Sequence, residues 1–116
     1  MPIAILVAED EYFLASDLTR ELRRAGATVV GPVASVEAAM NLIESASQIG
    51  GAILVVNLGG DMAYSVADAL MARRVPFLFT TGYDQASLPA RYAAVHRLEK
   101  PVAAGLILRE LERVLT

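Results

Sequence analysis

Three short stretches bring together side chains able to do chemistry. Residues 8–10 read Ala-Glu-Asp, residues 80–82 Thr-Thr-Gly, and residues 98–101 Leu-Glu-Lys-Pro. They offer two adjacent carboxylates, a hydroxyl and an ammonium, and adjacent acids with oxygen ligands nearby suit a hard cation such as Mg²⁺. Each group also has a plainer explanation. Asp10 can cap a helix, Glu9 and Glu11 favour the positive end of that helix, Thr81-Gly82 is ordinary turn chemistry, and Lys100 precedes a helix-starting proline. A fourth stretch, AILVVNLGG at 52–60, ends an apolar run with turn formers but carries no acid, base or nucleophile at Val55 or Val56. His96 has no second His or Cys at ligand spacing and reads as a surface or packing residue. Asp61 reads as a turn or capping residue.

The elements that would position these groups follow from hydrophobic period. Short apolar runs at 3–8, 28–33, 52–56, 76–80 and 95–98 read as strands. Pro32, in the second run, suits a sheet edge. Between them, 11–25 places Leu14, Leu18 and Leu22 on one helical face and Gly26 stops it. Ser35 caps a helix to about Ser47, with Val36, Met40 and Ile43 inward. A third helix over 63–74 turns Val66, Leu70 and Met71 inward. The poorly periodic segment 82–94 implies only a brief fourth helix. Pro101 takes the first position of a last helix ending near Leu115. Five strands alternating with five helical segments imply right-handed βαβ units and a three-layer α/β sandwich with a parallel sheet. In such sheets the chemistry lies just beyond the carboxyl ends of the strands, which puts the candidate residues on one rim.

The 116 residues suit one domain, 1–116, and a hydrophobic fraction of 55% supplies its core. A net charge of −3 gives no field suited to nucleic acid or an anionic membrane. Without cysteine there is no disulfide or thiolate metal site. Acids directly after the first apolar run do not read as a secretory signal, and no run approaches the ~18 apolar residues of a membrane span. A cytoplasmic protein is expected. A flavin or nucleotide carrier would need a Gly- or Ser-rich phosphate loop where AEDEY stands, and acids there repel phosphate.

In order and spacing, ILVAEDE, AILVVNLGG, FLFTTGY and LEKP resemble the receiver domain of bacterial two-component response regulators over essentially the whole chain. The resemblance implies a flavodoxin-like sheet of order 2-1-3-4-5. It assigns Mg²⁺ binding to Glu9, Asp10 and the Asn57 backbone carbonyl. Thr81 falls on the switch hydroxyl, Lys100 on the phosphate-contacting lysine, and Lys100-Pro101 on a cis peptide bond. The phosphoacceptor aspartate falls on Val55, which has no oxygen to accept a phosphoryl group. The aromatic rotamer switch falls on Arg97. The resemblance therefore implies a stand-alone receiver-like module that is not phosphorylated at the usual site. Mg²⁺ would bind weakly, with Lys100 turning to Glu9 and Asp10 instead. Contact with a histidine kinase, phosphotransferase or downstream regulator, or self-association, would use the face of helix four, strand five and helix five, where Arg91, Tyr92, Arg97, Arg109 and Arg113 fall. Two rival readings stand beside it. One is an ordinary phospho-accepting receiver in which Val55 is an introduced or erroneous replacement of Asp. The other is a Mg²⁺-dependent phosphatase-like enzyme using Asp10, although AEDE lacks the DxD pattern that such a nucleophile needs.

Overall fold

Apolar runs too short for helices become the strands of one sheet. In the computed structural model, which describes residues 3–46, 48–82 and 87–116, the elements are β1 (Ala4–Ala8), α1 (Tyr12–Arg24), β2 (Thr28–Val33), α2 (Val36–Ser45) and β3 (Gly51–Val55). Two-residue strands β4 (Asn57–Leu58) and β5 (Asp61–Met62) follow, then α3 (Tyr64–Ala72), β6 (Phe77–Thr81), a 3-10 turn at Ala90–Tyr92, β7 (His96–Glu99) and α4 (Ala104–Leu115). The main sheet is parallel, in the order β2-β1-β3-β6-β7. With the small β4–β5 hairpin set aside, this is the expected 2-1-3-4-5 order.

Strands β3 and β6 are buried along their whole length, β3 as a continuous apolar run and β6 with two buried threonines at its end, since helices cover both faces. On one face Leu6, Leu54 and Phe79 pack with Ile43 of α2 and Val66 and Leu70 of α3. On the other, Ile5, Ile53 and Leu78 pack with Leu18 and Leu22 of α1 and Ile107 and Leu111 of α4. Each such Leu or Ile side chain stabilises the fold by about 1.5–3 kcal/mol relative to exposure. Pro32 lies on the edge strand β2. Ser35 Oγ accepts a hydrogen bond from the Ala38 N–H at 3.1 Å, capping α2. Gly26, just beyond α1, takes φ 88°, the left-handed conformation that glycine supplies without steric cost.

Several expectations need correction. The brief fourth helix is reduced, among the described residues, to the 3-10 turn at Ala90–Tyr92, and residues 83–86 of that segment lie outside the described residues. The last helix begins at Ala104 rather than at Pro101, because Ala103 is still extended (φ −76°, ψ 147°). Thr81 lies inside β6, not after it. The VNLGG turn opens into the β4–β5 hairpin, which the apolar pattern does not signal. Met71 is 42% exposed rather than inward.

Tyr92, expected on an outward face, is the largest of these corrections. It is 1% exposed, with its ring 5.5 Å from that of Phe79 and 5.6 Å from that of Tyr64. Its hydroxyl lies 2.6 Å from Asp68 Oδ1 and 3.0 Å from the Tyr64 carbonyl. Arg91 grips the same carboxylate with Nε and Nη2 at 3.0 and 3.2 Å, and its guanidinium sits 4.5 Å from the Tyr92 ring centre. A buried ring needs a partner for its hydroxyl, and α3 provides one. The 3-10 turn is thereby pinned to α3.

This network has a defined pH window. The hydrogen bonds from Arg91, then Tyr92, hold the Asp68 carboxyl below its usual value of 3.8. Burial, then the Asp68 bond, pushes Tyr92 up to about 12. The lowered Asp68 pKa contributes stability above the ordinary carboxylate range and loses it as pH falls through the lowered value. The raised Tyr92 pKa contributes stability below the usual tyrosine value and loses it as pH rises through about 12. An ultraviolet tyrosinate titration should therefore show one tyrosine ionising near pH 12, and Asp68→Asn should bring that step down. Completion of all tyrosine ionisation in the ordinary range would show that Tyr92 is not held in this way.

Candidate functional site

The carboxyl ends of β1, β3, β6 and β7 form the rim on which the candidate residues meet. Lys100 follows β7 and Glu9 follows β1, so β3 and β6 lie between them in the sheet. The Lys100 N–H donates to the Thr81 carbonyl at 2.7 Å, which ties the end of β7 to β6. From that anchor the lysine reaches across the sheet. Its Nζ lies 2.9 Å from Glu9 Oε2 and 3.2 Å from Glu11 Oε2. The Glu9 side chain is fully buried and that of Lys100 is 21% exposed. Glu9 Oε2 also accepts the Glu11 N–H at 3.0 Å, whereas Glu9 Oε1 is buried without a hydrogen-bond partner.

The expected partner Asp10 is elsewhere. Its Oδ2 accepts the Gly59 N–H at 2.9 Å, and the residue is exposed. It does not cap α1 either: the N-cap is Glu11, whose side chain makes no capping bond. Gly59 takes φ +64°, and a Cβ there would come within 2.6 Å of the Ala34 carbonyl oxygen, so the turn that meets Asp10 requires glycine. Asn57 Oδ1 accepts the Gly60 N–H at 3.1 Å and tightens the same turn. Glu11, read from sequence only as a helix-end charge, is the second acid on Lys100. Three consecutive acids at a strand–helix junction were the available signal for it.

Val55 closes the centre of the rim. It is 5% exposed, pairs with Thr80 across the β3–β6 ladder and belongs to the apolar core. Thr81 is also buried, and Thr80 Oγ1 is buried without a partner. Arg97 is exposed on β7. His96 is exposed too, and its Nε2 lies 2.9 Å from Glu110 Oε2, a surface role as expected.

The electrostatics follow from burial and pairing. Burial pushes the Glu9 carboxyl up, against the Glu11 N–H and the Lys100 ammonium, which pull it down without cancelling the effect. For Lys100, burial is the largest single influence and lowers the pKa. The Glu9 and then Glu11 contacts together outweigh it and hold the ammonium above its usual value. Burial thus wins at the carboxyl, which favours its neutral form, and pairing wins at the ammonium, which favours its charged form, so the two directions pull oppositely on the pair.

The residues assigned to Mg²⁺ by resemblance do not fit a dication as they stand. One Glu9 oxygen is orphaned and could be a ligand, but the other is taken by an ammonium. Asp10 is turned to Gly59, and Val55 supplies no donor. Among the described residues no three Asp, Glu or His side chains are grouped for a metal.

A parallel 2-1-3-4-5 sheet with acids, threonine and lysine on its carboxyl rim defines a receiver-type α/β domain. SdrG from Sphingomonas melonis Fr1 is 36% identical, over 97% of this chain and 95% of that chain, with a TM-score of 0.82. The BeF3-activated conformation of SdrG from Pseudomonas melonis Fr1 matches at 36% identity, over 97% and 96%, with a TM-score of 0.77. The non-phosphorylated HemR receiver domain from Leptospira biflexa has the same fold at 24% identity, over 98% and 94%, with a TM-score of 0.81. So has a response regulator receiver protein from Sinorhizobium medicae at 22% identity, over 97% and 94%, with a TM-score of 0.79. No protein-family model and no curated protein matches the chain. The chain belongs to the response regulator receiver family.

The rim pair has a measurable weight. Lys100→Met leaves the buried Glu9 carboxylate without its counter-charge and should cost roughly 3 kcal/mol in chemical denaturation at neutral pH. Glu11→Gln, at an exposed partner, should cost less than about 1 kcal/mol. Equal effects of the two changes would show that Glu9 does not depend on Lys100.

Proposed function

We propose that this receiver is a signalling module that works by protein contact without aspartyl phosphorylation. The carrying observation is Val55, an apolar side chain packed in the core at the end of β3, where the resemblance would put the phosphoacceptor. Phosphoryl transfer needs a carboxylate nucleophile in line with the donor, and valine has no lone pair to offer. Receivers are signalling modules rather than enzymes, and this chain is read as having no catalysis of its own. The whole chain, 1–116, is read as the receiver-like domain.

The remaining machinery keeps its places with altered work. Thr81 and Lys100 occupy the switch and phosphate-contact positions, but Lys100 is engaged by Glu9 and Glu11. Arg97 replaces the switching aromatic and stays exposed on β7. Glu9, Asp10 and the Asn57 carbonyl would hold Mg²⁺ weakly, since a dication must first displace the ammonium from Glu9. The partner is a protein, either a histidine kinase, a phosphotransferase, a downstream regulator or a second copy of the chain. Nucleic acid and membrane are not expected as partners, and the setting is taken as cytoplasmic. Among the described residues no helix is long and apolar enough to cross a membrane.

The proposed contact face of the 3-10 turn, β7 and α4 is narrower than the sequence suggests. Tyr92 is buried and Arg91 is committed to Asp68. Arg113 lies 3.8 Å from Glu110, which also holds His96. Arg97, Arg109 and Arg113 are all exposed on this face.

Treatment with acetyl phosphate should leave the intact mass unchanged. Val55→Asp should gain one hydroxylamine-labile phosphoryl group in the presence of Mg²⁺. The same substitution should lower metal-free stability by about 1–3 kcal/mol, because it buries a carboxylate beside Glu9, and millimolar Mg²⁺ should recover part of the loss. A labile adduct on the parent protein would overturn the reading.

A further inference from the structure

We infer that the end of the sheet opposite the rim holds a binding site for a small amphipathic carboxylate, an apolar chain or ring that ends in one carboxyl group. The inference goes beyond the protein-contact reading and does not depend on it. The amino ends of β1, β2 and β3 meet the last turns of α2 and α3 there, around a cavity of about 820 Å³. Cavities of roughly 300–1,000 Å³ are the usual size for small-molecule sites. The floor is apolar. Ile43 and Leu70 are buried in it, and Ile3, Ile49 and Val75 surround them half-buried. Gly50 also lines the cavity and adds no side chain to it.

The mouth carries one charge. Its polar side chains are Arg73, Gln48 and Thr28, all exposed, and among the described residues no acidic side chain lines it. Arg73 ends α3, and the chain beyond it is locked. The Arg74 N–H donates to the Met71 carbonyl at 3.1 Å and the Val75 N–H to the Leu70 carbonyl at 2.9 Å. This is the helix-ending motif whose turn residue is left-handed, and Arg74 takes φ 57° there without being glycine. Leu70 and Val75, the pair that the motif brings together, both lie in the cavity floor. The guanidinium donates Nη1 to the Ile43 carbonyl of α2 at 2.7 Å. Among the described residues this is its one hydrogen bond, so the Nε–Nη2 edge is left for a ligand. Arg91 uses the same edge to grip the Asp68 carboxylate.

The occupant follows from these donors. A planar guanidinium edge matches a carboxylate through two parallel hydrogen bonds, and one cation balances one negative charge. A phosphate dianion is the poorer match. The carboxyl ends of α2 and α3 both lie at this cavity, and their carbonyls disfavour a second negative charge. An amine is repelled by Arg73. The apolar body of the ligand covers the Ile43 and Leu70 floor, which is the favourable part of the exchange with water. A ligand seated in this way bridges the ends of α2 and α3. It shares no residue with the rim, so it supplies an input that does not pass through Val55.

Sodium octanoate is the probe, with octanol and octylamine as controls of equal chain length. An amide NMR titration of the full chain with octanoate should give saturable shifts at Ile3, Ala4 and Thr28 and over residues 43–46, 48–50 and 70–75. Thr81 and Lys100 should not move. Octanol and octylamine should bind at least about tenfold more weakly, and Arg73→Met should weaken octanoate by a similar factor, since a charge-assisted pair is lost. Arg73→Met also removes the bond to Ile43, so its own spectrum checks the fold. Ala46→Phe gives a second readout. Ala46 lines the cavity in extended conformation (φ −75°, ψ 129°), so a ring there fills the space and leaves Arg73 its bond. Octanoate binding should then be lost. Shifts confined to Thr81 and Lys100, equal binding of the three probes, no saturable binding, or undiminished octanoate binding by either folded variant would overturn the site. Each of these outcomes would leave the protein-contact reading intact.

Discussion

The ion pair from Lys100 to Glu9 governs the rim of this domain. A carboxylate with no side-chain exposure costs several kcal/mol to desolvate unless a counter-charge and hydrogen bonds compensate it. In a receiver with three acids a metal ion could supply that charge. Here Val55 adds no charge, and the one ammonium set against Glu9 is that of Lys100, just after β7. The pair then links the ends of β1 and β7 past β3 and β6. It also holds Glu11 and with it the first turn of α1.

Val55 and Arg97 are coherent with each other in this light. On the proposed reading, with valine packed in the core, the rim has no phosphoryl group to report and no need of an aromatic that follows it. The buried aromatic near this end of the sheet is instead Tyr92. Asp68 and Arg91 hold it on α3, where it fills space beside Phe79. A ring fixed by a carboxylate and stacked under a guanidinium is a packing element rather than a moving one.

Most of the fold was legible in sequence because period and punctuation agree. Leucines at four-residue spacing marked α1, Ser35 marked the start of α2, and the uninterrupted apolar run 52–56 marked β3. The illegible parts depend on contacts distant in sequence. Tyr92 looks like a surface residue until Asp68, in another element, is brought to its hydroxyl. Asp10 looks like a helix cap or a partner of Lys100 until the Gly59 turn presents an N–H to it. Glu11 looks like a simple helix-end charge until the lysine from 89 residues away arrives. The strand-end placement of Glu9, Thr81 and Lys100 was readable, but the choice of which acid would face the lysine was not, since it turns on side-chain reach across the sheet.

The central claim is that the rim is closed by its own lysine and does not respond to a phosphoryl group. The most direct measurement is an amide NMR titration of the unaltered protein with Mg²⁺ and then beryllofluoride, a mimic of the acyl phosphate. The account predicts no saturable shift change at Thr81, Arg97 or Lys100 beyond a weak effect of the metal alone. Saturable, coupled shifts along β6 and β7 on adding beryllofluoride would contradict it and restore a working phosphoryl switch.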